Sequence, residues 1–149
     1  MLEKIENQGV ILAIIIRSNY NKKGISFFTP DDFSQQLGYM NRPKGYKIDP
    51  HVHNLVERKV TLTQEVLYVK SGKVRVDFYK DEHNYLQSRI VETGDVILLA
   101  TGGHGFEMLE DSEMIEIKQG PYCGDEDKVR FDHTPKNIIL INKNNEPEL

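Results

Sequence analysis

The chain has one cysteine, Cys123, among its 149 residues, so no intramolecular disulfide framework is available to staple it. It also lacks a long apolar run. The longest, Val10–Ile16, is closed by Arg17 and falls far short of the ~20 residues a spanning helix needs. It makes a poor secretory signal as well, because Glu3 and Glu6 precede it and no small-residue cleavage site follows. A cytoplasmic location is the expectation. Nor is charge of one sign gathered in blocks: basic and acidic residues are interspersed and the net charge is −4 at pH 7. That balance argues against a nucleic-acid backbone partner, which needs a concentrated basic stripe, and against attachment to an anionic membrane surface.

A sustained 3.6-residue period is nearly absent too. One stretch starts like a helix: Thr29 is placed to cap, Pro30 suits the first turn, Asp31 and Asp32 suit the positive end of the dipole, and Gly38 ends it. Strand signals dominate elsewhere. Val10–Ile16 reads as a strand buried on both faces. Lys73–Tyr79 alternates, with Val74, Val76 and Phe78 on one face; Ser88–Val91, Val96–Leu99, Phe106–Leu109 and Met114–Lys118 follow between polar turns. Ile138–Ile141 reads as a last edge strand and Asn142–Leu149 as a loose polar tail. Short, evenly spaced strands point to an all-β sandwich or barrel. The expected organisation is one domain over 1–149, with a core at about 45–120, an N-terminal strand and short helix at 8–40, and a C-terminal extension at 121–149.

The residues that carry chemistry begin with His51-Val52-His53. On a strand, positions i and i+2 share a face, so both imidazoles converge on one point. Gly45 lies six residues before His51. Glu65 lies seven residues before Gly72, and Gly94 opens a stretch that ends on Gly102-Gly103-His104. Three neutral imidazoles and a carboxylate suit a borderline divalent ion such as Zn, Fe, Mn, Ni or Co.

This succession resembles the two motifs of the cupin superfamily over about Gly45–Lys118. The first is glycine, five residues, His-x-His, a short gap, glutamate, six residues, glycine; the second runs from a glycine to a histidine and an asparagine. Eleven residues separate His53 from Glu65 where the family has three or four. Glu57 fits the short gap but has no glycine after it at the right distance. Ala100 stands for the usual proline and Met108 for the asparagine. The resemblance implies a double-stranded β-helix, or jelly-roll barrel, holding one divalent transition-metal ion on His51, His53, Glu65 and His104. It further implies a small metal-dependent isomerase, epimerase or lyase acting on a polar metabolite such as a carbohydrate or keto-acid. An Fe(II)-dependent dioxygenase and a non-catalytic sugar-binding cupin are the alternatives.

Around this set, Lys47 and Asp49 share the face of His51 and His53 if Pro50 keeps the register, and a bend at Pro50 leaves them solvated. Arg42, Arg58 and Lys59 are within loops from which they could reach an anionic ligand. Tyr68 falls on the face opposite Glu65 and reads as packing, and His83 as a surface turn residue. His133 and Cys123 carry no assigned role. A small-molecule ligand or substrate is the expected partner. A homodimer is expected as well, formed by Val10–Ile16 pairing with the same strand of a second subunit.

Overall fold

The computed structural model describes residues 1–142. Its strands are β1 (Leu2–Asn7), β2 (Val10–Ile16), β3 (Gly24–Phe27), β4 (Gly38–Asn41), β5 (Glu65–Ser71), β6 (Lys73–Tyr79), β7 (Tyr85–Glu92), β8 (Val96–Leu99), β9 (Gly103–Met108) and β10 (Glu113–Lys118). One sheet has the order β1-β2-β8-β5-β10, a second the order β7-β6-β9, and β3 pairs with β4 alone. All these ladders are antiparallel.

The main core lies between the five- and three-stranded sheets. Ile15 of β2, Leu67 and Val69 of β5 and Ile97 of β8 face Val74, Val76 and Phe78 of β6 across it. Period-two alternation produces this: successive side chains on β6 point to opposite faces, and the apolar set points inward. Over β2 and β8 the far face of the five-stranded sheet is buried too. Ile14, Ile16 and Leu98 pack there under Tyr20, Phe28, Phe33 and Leu37. That second layer is why β2 reads as continuously apolar rather than alternating.

The outer face of the three-stranded sheet is covered by the C-terminal segment. Tyr79 packs its ring on Phe131 with centroids 5.0 Å apart, and its hydroxyl accepts from Thr134 Oγ1 at 2.9 Å. Leu140 N donates to the Tyr85 hydroxyl at 2.9 Å, and Ser88 bridges Ile141. Beneath this strap Arg75 and Asp77 form a two-pronged pair, Nε–Oδ1 2.8 Å and Nη2–Oδ2 3.0 Å.

Several expectations are corrected. The sheets are open: β1 and β10 end one, β7 and β9 the other, so there is no closed jelly-roll barrel. Closure needs strands that turn the corners, and residues 45–53, where the histidine strand was expected, have no strand structure and are exposed. Pro43 and Pro50 each remove a backbone donor there. No helix forms over Thr29–Gly38. An isolated two-turn helix is marginal, and side chains satisfy the loop instead. Leu37 N donates to Thr29 Oγ1, Gln36 Nε2 donates to the Pro30 and Phe33 carbonyls, and Gln35 N donates to Gln64 Oε1. This loop sends Phe28, Phe33 and Leu37 down onto the sheet.

At the C-terminal end, Ile138 closes a 3₁₀ turn, Lys136–Ile138, and Ile141 makes one isolated bridge, so the expected edge strand is absent. Residues 143–149 of the expected tail lie outside the described residues. The proposed self-pairing of Val10–Ile16 is also overturned, because β2 is hydrogen-bonded to β1 on one side and β8 on the other. No helix among the described residues is long and apolar enough to cross a membrane.

Candidate functional site

The register places two chemically active side chains opposite each other at one end of the core. Glu65 opens β5 and pairs with Leu99 of β8, on the inward face. His104, on β9, is opposite Phe78 and therefore also points inward. Glu65 Oε2 and His104 Nε2 are 3.2 Å apart, so the pair links the two sheets. Gly102 sets the entry to β9. It has φ +73, and a Cβ there would lie 2.5 Å from the Tyr79 carbonyl oxygen, so only glycine lets the backbone pass this close. At the other end of the core Arg17 clamps the sheets, donating to Glu3 at 2.6 Å, Asp95 at 2.8 Å and the Ile90 carbonyl at 2.6 Å.

The Glu65–His104 pair sits in an open cleft of about 780 Å³ whose walls include Phe106, Lys128, Arg130 and His133. The hydrogen bond from His104 holds the Glu65 carboxyl below the usual carboxylate range; burial opposes this, and Lys128 and Lys118 reinforce it. Since the folded-state pKa is lowered, the pair contributes stability that is present above the unfolded value and lost as pH falls through the folded one. Unfolding free energies of the parent and Glu65→Gln proteins, from chemical denaturation, are therefore expected to differ by about 1 kcal/mol near neutrality. The gap should shrink steadily below roughly pH 4.5. A gap that stays constant from pH 7 to pH 3 would contradict the lowered Glu65 carboxyl.

The expected ligand set is only half assembled. Glu65 and His104 meet, whereas His51 and His53 lie on the exposed segment 42–63. Their rings stand edge to face at 5.2 Å, and His51 Nδ1 is 3.0 Å from the Asp49 carbonyl oxygen. Among the described residues no three His, Cys, Asp or Glu side chains converge as metal ligands do, so the four-residue set does not fit a metal ion as placed. Glu57, Lys47, Asp49 and Lys59 are exposed on the same segment. Arg58 Nη1 donates to the Val56 carbonyl at 3.4 Å, and Arg42 stacks over the Tyr46 ring at 4.4 Å. Tyr68 does face away from Glu65 but is exposed rather than packed. His83 lies in a turn with its backbone N donating to Asp81 Oδ1, and Cys123 is exposed.

Residues that sequence reasoning left without a role also border the cleft. His133, Lys128 and Arg130 reach it from an irregular stretch whose local pattern carries no period. Tyr79 was legible only as the last residue of an alternating strand.

No family model, no curated protein and no solved structure matches this chain. Together with the open sheets and the unassembled ligand set, this overturns the cupin resemblance. The metal-dependent isomerase, epimerase or lyase, the Fe(II) dioxygenase and the sugar-binding cupin inferred from it fall with it.

Proposed function

We propose that the cleft at the Glu65–His104 pair binds a small polar molecule that donates hydrogen bonds, a polyol or an amine. The observation that carries this is a carboxylate held ionised at the floor of an open cleft, 3.2 Å from an imidazole. Such a pair offers both an acceptor and a switchable donor or acceptor to one ligand. A few fixed polar groups beside aromatic rings are the usual furniture of small-molecule sites, and Phe106 stands 5.5 Å from the His104 ring, centroid to centroid.

A second reading is favoured by one distance. Two ligands of a single transition-metal ion, each ~2.1 Å from it, lie roughly 3.0–3.4 Å apart, and the pair is separated by 3.2 Å. On that reading Glu65 and His104 are the resident half of the set, and His51 and His53 join only when their segment moves.

Both readings are tested by amide chemical-shift mapping of the full chain against monosaccharides, small amines and Zn²⁺. Shifts confined to Glu65, Gly103–Phe106 and Lys128–His133, abolished in both His104→Ala and Glu65→Gln, are expected for a cleft ligand. Zn²⁺ shifts that include His51 and His53 would identify the second reading. Silence of these amides toward the whole panel would sink both.

A further inference from the structure

We propose that a second copy of this chain docks along the free edge of β10, and that the docking element is segment 42–63 of that copy, exchanged reciprocally. The segment is exposed throughout, yet its composition is not that of a solvated loop. Tyr46, Ile48, Val52, Leu55, Val56 and Leu62 are all exposed, Val52 at 90% and Leu55 completely. Apolar surface of this kind, concentrated in one stretch, marks a surface that meets a partner.

The receiving surface has matching properties. β10 is the last strand of its sheet, so one row of its backbone N–H and C=O groups has no ladder partner. On the outer face beside that edge, Ile115 and Ile117 lie opposite Tyr68 and Val66 of β5, and Tyr68, Ile115 and Ile117 are exposed large hydrophobics. The aromatic and aliphatic cover that the loop 20–37 gives the rest of this face does not include them.

Charge selects the occupant. Segment 42–63 holds five cations, Arg42, Lys44, Lys47, Arg58 and Lys59, against Asp49 and Glu57. Residues 110–127, which contain β10 and the turn after it, hold seven acids against Lys118 alone, among them Glu113, Glu116, Asp125 and Glu126. The segment is thus +3 and the edge region −6, in a chain whose total is −4. None of the five cations has an ion-pair partner among the described residues. Opposed potentials of this size orient two surfaces and reject misaligned ones.

Topology makes the exchange reciprocal. Gln64, at the root of the segment, accepts from Gln119 N just past β10, at 2.9 Å. Each copy therefore presents its projecting segment and its receiving edge side by side, the arrangement a two-fold axis requires. Anchored at both ends, a loop of this length projects at most ~35 Å, enough to lie along a six-residue strand of a neighbour. At its root the interface borders the cleft, whose walls include Thr61, Leu62, Thr63 and Asp127.

Sedimentation velocity on the full chain at micromolar concentration is expected to show a dimer that dissociates as salt is raised. Two variants then test the pairing: Arg58→Glu with Lys59→Glu on the segment, and Glu113→Lys with Glu116→Lys on the edge. All four positions are exposed, so circular dichroism should stay that of the parent. Each variant alone sets like charges against each other and should dimerise roughly tenfold more weakly or worse. Mixed one to one, they match at both contacts, and a heterodimer should re-form. A monomeric parent overturns the proposal; so does a dimer indifferent to both variants, or a mixture in which dimerisation is not restored.

Discussion

Asp77→Ala is expected to lower unfolding free energy by about 3–5 kcal/mol, which for a domain of this size moves the melting midpoint by roughly 10 °C. Asp77 is 1% exposed and accepts both prongs of Arg75 as well as the Ser88 hydroxyl. Removing it leaves the guanidinium beneath the C-terminal strap with Glu107 as its one remaining ion-pair partner among the described residues. Glu107 remains 2.7 Å from Nη1, but it is more exposed and does not reach Nε or Nη2, the two donors Asp77 takes. The loss arises from the two unpaired donors and the only partly compensated charge, not from the worth of the pair, because burying two ions in a low dielectric largely cancels their attraction. Arg75→Met combined with Asp77→Leu should therefore recover most of the deficit. Chemical denaturation of the three proteins measures this, and a double variant as weak as Asp77→Ala would show that the strap depends on the ion pair itself.

Phe78→Ala should cost about 3–5 kcal/mol, and its effect reaches the cleft. Phe78 is 1% exposed in the core between the sheets and lies directly opposite His104 on the neighbouring strand. Deleting the ring opens a void under the residue pair that holds the imidazole against Glu65. The expected signature is twofold: a lower denaturation midpoint, and broadened or shifted His104 ring resonances in folded protein. Val74→Ala, at the far end of the same inward row, serves as the comparison. It should destabilise less and leave His104 unchanged. Equal effects of both variants on the imidazole would separate core packing from the geometry of the site.

The strand content was readable because buried sheets impose a period. Lys73–Tyr79 alternates as β6 requires, and Val10–Ile16 is apolar throughout because β2 is covered on both faces. Glu65 and His104 were legible only as two members of a four-residue set with His51 and His53, beside glycines at 72 and 102 that mark turns. What failed were inferences that needed tertiary context. Thr29-Pro30-Asp31-Asp32 signals a helix start, but Thr29 and Gln36 bind the loop across itself and Phe33 is drawn to the sheet. His51 and His53 share a face only on a strand, and nothing local to Pro50 and its neighbours supplies a strand to pair with. The strap over Tyr79 and Tyr85 was invisible because its contacts are made by single residues, Phe131, Thr134 and Leu140, without a repeat.

The position of β2 bears on how the chain leaves the ribosome. Its hairpin with β1 is local, so one edge of Val10–Ile16 is sheltered almost as soon as it emerges. The other edge waits for β8, whose first residue, Val96, comes 80 positions after Ile16. At typical synthesis rates of ~5–20 residues per second that is roughly 4–16 s of exposure for a run of four isoleucines, one leucine, a valine and an alanine. During that interval the nascent protein presents a sticky, half-paired ribbon to its surroundings. Faster translation through residues 17–96 is therefore expected to raise soluble yield by shortening that interval.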